Sequence, residues 1–124
     1  MGRVNTAPAQ SDDRGVIVDL LLHKSIDAIT YLTLAESAIR GNHFHAQTTQ
    51  WTFVTAGRIS YAEAQQGGEA EHFVGSTGDL FISEPGVVHA VRAEMDSSII
   101  VFTAGPRAGA SYEDDTFRVS TPLF

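Results

Sequence analysis

Apolar positions in this chain recur every second residue or in short solid runs, and no stretch shows the three-and-four spacing of an amphipathic helix. Val16 to Leu22 is apolar and branched, and Ala28 to Leu34 alternates; each predicts a strand. Ala35 to Arg40 is too short for a helix and is assigned to a loop. His43 to Gln47 and Gln50 to Ala56 predict two further strands. Gly57 then turns the chain into Arg58 to Ala62, a hairpin. Short strands follow at Glu71 to Val74, Leu80 to Ser83, Val87 to Ala93 and Ser98 to Thr103, separated by turn signals such as Gly75 to Gly78 and Glu84-Pro85-Gly86. Eight or nine short strands without a helix predict an all-β sandwich or barrel. Residues 1–12 are small, polar and proline-containing, and are expected to form a flexible leader. Residues 13–104 form the expected barrel, and residues 105–124 an extended tail laid over it, anchored by Phe117 and Phe124.

Composition narrows this picture without changing it. A chain of 124 residues, 43% hydrophobic, suits one domain with a packed core. Without cysteine there are no disulfides, thiolate metal sites or cysteine nucleophiles. Eight Lys and Arg against 15 Asp and Glu give a formal charge of −7, which repels polyphosphate backbones and argues against a nucleic-acid partner. No apolar run approaches the ~18 residues of a membrane span, and the N-terminus lacks a signal peptide's apolar region, so no membrane partner and a cytoplasmic location are expected. Met1 to Thr6 fits the loose myristoylation pattern, a match short enough to arise by chance.

The candidate chemistry centres on Arg40-Gly41-Asn42-His43-Phe44-His45. On a strand, alternate side chains share a face, so His43 and His45 present two imidazoles together while Phe44 turns away. Paired neutral imidazoles form a natural metal chelate. His89 lies on a later strand; His23 and His72 are assigned to solvent. Arg40 suits an anionic substrate group, with a surface ion pair as an equal alternative. Trp51 is a candidate for the substrate space, although Trp51, Phe53, Tyr31 and Phe81 more often serve as core. Arg92, three residues beyond His89, falls on the opposite face and is assigned a structural role. Asp114 and Asp115 are expected in a solvated acidic patch.

These residues resemble the two motifs of the cupin superfamily. His43, His45, Gln50 and Gly57 are similar to the first motif; Gly78, Gly86 and His89, with eleven residues from first glycine to histidine, are similar to the second. Together they span Arg40 to Ala93. The resemblance implies a single-domain jelly-roll barrel, a double-stranded β-helix, with one divalent transition metal (zinc, iron, nickel or manganese) held by His43, His45, Gln50 and His89. The chain departs from the pattern in four places: Gln50 replaces glutamate, Glu84 a proline, Ser37 the leading glycine and Ala93 an asparagine. Only the first alters chemistry. A neutral amide weakens affinity but leaves a divalent ion its full charge, which acidifies bound water more strongly.

Asp13-Arg14-Gly15, Arg40-Gly41 before the histidine pair, and the tail segment Tyr112-Glu113-Asp114-Asp115 resemble sugar-nucleotide epimerases and ketoisomerases within that superfamily. That likeness implies proton transfer beside a sugar ketone, with His43, His45 or His89 as catalytic base. Two other readings stay open: a non-haem iron dioxygenase, and a non-catalytic barrel that captures a small ligand. A small-molecule substrate and a homodimer built on the apolar strand from Ile99 to Phe102 and the aromatic tail complete the expectations.

Overall fold

The structure, a computed structural model, describes residues 2–107 and 109–124. Among these residues, twelve strands and one short helix run in chain order: β1 (Arg3–Val4), β2 (Gln10–Asp12), β3 (Gly15–Ile17), β4 (Ala28–Leu34), β5 (Ile39–His45), β6 (Thr49–Ala56), β7 (Arg58–Ala64), β8 (Glu71–Ser76), β9 (Leu80–Ser83), β10 (Val88–Ala93), β11 (Ser97–Ala104), α1 (Gly109–Asp114) and β12 (Thr116–Arg118). Two five-stranded antiparallel sheets, ordered β1-β9-β6-β11-β4 and β12-β5-β10-β7-β8, form the jelly roll; β2 and β3 pair separately. Alternation settles the layering. In β4, Thr30, Leu32 and Leu34 turn inward while Ile29, Tyr31 and Thr33 face out. Leu34, Val54, Ile59, Tyr61, Phe81, Val91, Ala93 and Ile99 form the buried core between the sheets.

The inward rows change character along the strands. In β6 the row runs Val54, Thr52, Gln50; in β10 it runs Ala93, Val91, His89. Apolar side chains thus fill one end of the sandwich and polar ones gather at the other. Register aligns these polar ends: Gln50 pairs with Thr103 on one side and Ser83 on the other, and His43 pairs with His89.

Three expectations change. The strand predicted over Val16 to Leu22 stops at Ile17, because Leu20 and Leu21 tuck in from an irregular segment rather than from a paired strand. The leader is tied down at its described start: Arg3 and Val4 extend the edge of β9, the Arg3 guanidinium lies 3.0 Å from the Asp79 carboxylate, and Ile82 N donates to Gly2 O at 2.6 Å. The tail is not uniformly extended. It forms α1 and then β12, which joins β5 with Thr116 opposite His45 and Arg118 opposite His43. Met1 of the leader and Ala108 of the tail lie outside the described residues.

Candidate functional site

The bend in β5 aims the histidines. Gly41 has φ 97° and Asn42 φ 58°, so two consecutive residues occupy the left-handed region just before His43. A Cβ on Gly41 would sit 2.7 Å from His89 O, so only glycine lets β5 approach β10 this closely. Asn42 is held by the tail, its Oδ1 accepting from Leu123 N at 2.7 Å and its carbonyl from Val119 N at 3.1 Å. His43, His45 and His89 consequently converge. Ring centroids lie 4.7 Å apart for His43–His45, 4.8 Å for His43–His89 and 5.4 Å for His45–His89.

Hydrogen bonds fix which nitrogens face the shared point. His45 Nδ1 lies 3.2 Å from Asp115 O, which can only accept. The Thr116 hydroxyl donates to Tyr112 O at 2.6 Å, so toward Nδ1, at 3.4 Å, it too presents a lone pair. Nδ1 therefore carries the proton and Nε2 the lone pair. That Nε2 is buried and, among the described residues, has no well-aligned hydrogen bond, the Gln50 amide being the side-chain polar group that acts on the ring. His89 Nδ1 is engaged by Ser83 Oγ at 2.7 Å and lies 3.5 Å from Val87 O, so Nε2 is the nitrogen left to face the cluster. Burial and the neighbouring His45 hold the His43 pKa down at about 4; burial and the other two histidines hold His89 at about 3. Burial also lowers His45, against the opposing pull of the Asp115 carbonyl and carboxylate and the Gln50 amide. All three rings are neutral at pH 7.

This donor set fits a divalent transition metal. The ligand atoms lie within 4.8 Å of one another, wider than the ~3.4 Å edge of a tetrahedron with Zn–N of about 2.1 Å. His43, whose ring makes no hydrogen bond among the described residues, is free to close that gap. The backbone carbonyl behind His45 and the hydroxyl behind His89 are the outer partners that metal-bound imidazoles require.

The cluster floors a cleft of about 450 Å³ with Leu32, Thr52, Val91, Ile99 and Val101 on its walls and Arg40, Arg107, Arg118 and Tyr112 around it. Three of the eight basic residues of an acidic chain thus surround one cleft. Arg118 lies 3.4 Å from the exposed Glu113 carboxylate, Arg107 stands 4.5 Å over the Tyr112 ring, and Arg40 has no side-chain partner among the described residues. A larger cleft of about 620 Å³ lies behind Phe44, on the other face of β5, beneath residues 118–123. It contains none of the histidines, and the chemistry favours the smaller one.

Of the residues singled out from the sequence, His43, Gln50, His89 and Arg40 line the cleft, and His45 lies just beneath. Gln50 is buried on the same inward row as Thr52. Trp51 is corrected: it sits between Gln50 and Thr52 on β6, so its side chain points to the outer face, and it is absent from the cleft. Arg92 pairs with Glu94 at 3.1 Å and covers the Phe124 ring, a structural role. Tyr31 is not core; it is 64% exposed. Asp115 is not part of a solvated patch; it is buried, with Thr48 Oγ1 donating to its carboxylate at 2.6 Å. Sequence reasoning missed Arg107 and Arg118, and it named Tyr112 and Asp115 only within the tail's likeness, without a place at the site; all four lie in a tail whose pairing with β5 no local pattern announces.

Comparison with known proteins gives a consistent answer. Residues 19–119 match the family described as Cupin. No curated protein matches the sequence. Among solved structures, a 3,4-ketoisomerase from Helicobacter canadensis is similar with TM-score 0.78 and 15% identity, over 94% of this chain and 89% of that one. A dTDP-4-dehydrorhamnose 3,5-epimerase from Sulfolobus tokodaii is similar with TM-score 0.74 and 15% identity, over 97% and 83%. The sugar 3,4-ketoisomerase QdtA from Thermoanaerobacterium thermosaccharolyticum, in complex with TDP, gives 0.74 and 14%, over 96% and 86%. At these identities the likeness is one of fold.

Proposed function

The chain belongs to the cupin family, and from that membership we propose that it is a metal-holding enzyme acting by proton transfer on a small, anionic, carbohydrate-like carbonyl compound. One observation carries the reading: three neutral imidazoles face one point on the floor of a cleft surrounded by Arg40, Arg107 and Arg118. Magnitude favours ligation over base catalysis for these rings. A general base works best with a pKa near the working pH, and His43 at about 4 and His89 at about 3 are weak bases at neutrality. The same depression keeps their lone pairs available to a cation.

In this reading His43, His45 and His89 hold the ion, and the Gln50 amide adds a neutral oxygen without reducing its charge. When bound, such an ion supplies Lewis acidity toward a carbonyl oxygen. The arginines bind and orient the anionic part of the substrate, and the apolar walls exclude water. Tyr112, on the cleft wall with its ring 5.2 Å from that of His45, is the hydroxyl placed to exchange a proton beside the carbonyl. A nucleotide-sugar has the charge that three arginines suit, and the similar structures named as sugar ketoisomerase and dTDP-sugar epimerase support that substrate class by analogy of fold.

The test is incubation of the metal-loaded protein with a dTDP-4-keto sugar in D2O, followed by NMR. Deuterium entering next to the carbonyl supports the proposal. Oxygen uptake without exchange supports an iron dioxygenase instead. A ligand-dependent rise in Tm with neither reaction leaves a binding module.

A homodimer is part of this reading. The outer face of β4 exposes Ile29 and Tyr31, directly beside Phe102 and Ile100 of β11. No helix among the described residues is long and apolar enough to cross a membrane.

A further inference from the structure

We propose that Asp115, in the tail, is a positioning residue that locks His45 in the tautomer needed to present Nε2 to the site. The inference rests on the reading of His45 as a ligand, but its geometry is independent of any ion. Asp115 grips the β5 terminus twice. Its carboxylate accepts from Ala46 N at 3.1 Å, Gln47 N at 3.0 Å and Thr48 Oγ1 at 2.6 Å, the three residues that follow His45. Its backbone carbonyl accepts from His45 Nδ1 at 3.2 Å. One residue, only 4% exposed, thereby fixes both the chain leaving His45 and the ring of His45.

The carboxylate arrangement is needed for the carbonyl to act. Asp115 sits between α1 and β12, where its own N donates to Tyr112 O at 3.1 Å; the next residue, Thr116, opens the β12 ladder opposite His45, and the Asp115 carboxylate ties that ladder's start to the turn after β5. Three donors converge on the carboxylate, so a side chain without two acceptor oxygens leaves at least one of them unpaired. Once that grip loosens, the carbonyl moves off Nδ1, and the ring is free to take the other tautomer, whose Nε2–H would point at His43 and His89. A ring in that tautomer cannot donate Nε2 to a cation.

The experiment measures the tautomer directly, by 15N NMR of the histidine rings in metal-free protein at pH 7, for native, Asp115→Ala, Asp115→Asn and Thr116→Val chains, with zinc affinity as a second readout. Native protein should show His45 as Nδ1–H only. Asp115→Ala should give a mixture and bind zinc about 10- to 100-fold more weakly. Asp115→Asn should fall between, and serves in place of Asp115→Ala if that chain does not fold. Thr116→Val removes the weaker acceptor and should leave the Nδ1–H form dominant. A folded Asp115 variant with a lower Tm but His45 still wholly Nδ1–H would overturn the proposal, since Asp115 would then be structural only. If native protein binds no zinc while the tautomer still shifts in the variants, the positioning role stands and the metal-holding function fails.

Discussion

His43 and His89 illustrate how burial sets chemistry at the level of one residue. In the unfolded chain a histidine ionises near 6.5; in the fold these two do so near 4 and 3. Protonation therefore favours the unfolded state, so their contribution to stability is complete above pH 6.5 and is lost as pH falls toward the folded values. At pH 5 the cost from His89 alone is about 2 kcal/mol, an order-of-magnitude figure. Urea unfolding of metal-stripped protein at pH 7 and pH 5 should show at least that drop, and His89→Gln should lack the His89 share of it while His43 keeps a similar one. Equal stability at the two pH values in native protein would contradict the assigned burial. Gln50 makes a second residue-scale prediction: Gln50→Glu adds a carboxylate to the donor set and should raise zinc affinity at least about tenfold, read by competition with a chelator. An unchanged affinity would place Gln50 outside the site. The His43–His45 pair was legible in the sequence because strand parity puts both side chains on one face, whereas His89 was joined to it only through the spacing of the second motif. Asp115 was not, since an acidic residue in a polar tail carries no local sign that three donors await it.

At the scale of elements, β5 and the tail decide the site. The strands over Ala28–Leu34 and Leu80–Ser83 were legible to the residue, because alternation and flanking turns agree there. The three-residue strand β12 was not: Thr-Phe-Arg is too short for a period, and its pairing with β5 depends on a contact 71 residues away. Of the two readings of Trp51, the substrate space fails and burial holds, because alternation along β6 turns it away from Gln50 and the cleft. The bend at Gly41 yields the prediction that belongs here. Gly41→Ala forces a Cβ against His89 O with φ at 97°, and should cost about 2–3 kcal/mol and weaken zinc binding together. Denaturation and zinc titration of the same variant check it; full stability with native affinity would show that the close approach of β5 to β10 is not what assembles the histidines.

For the whole molecule, the two sheets divide the labour between an apolar core at one end and a polar cleft at the other. The all-β architecture was legible from periodicity, and the cupin family from two motifs in register. The outer face was not, because the same alternation that buries Leu32 exposes Tyr31 without saying what covers it. Ile29 and Tyr31 on the edge strand β4 predict a dimer. Light scattering should give twice the 13.3 kDa of the chain, and Tyr31→Glu with Ile29→Glu should return it to one chain's mass without loss of fold. A native mass of 13.3 kDa would remove the dimer. That the His43–His45 pair and the sequence-distant His89 act as one metal centre is tested by calorimetric zinc titration of metal-stripped native protein beside His43→Ala and His89→Ala. Native protein should bind one equivalent per chain, and each variant should lose more than about 100-fold in affinity. Zinc binding that survives either substitution unchanged, or no binding by a folded native chain, would contradict it.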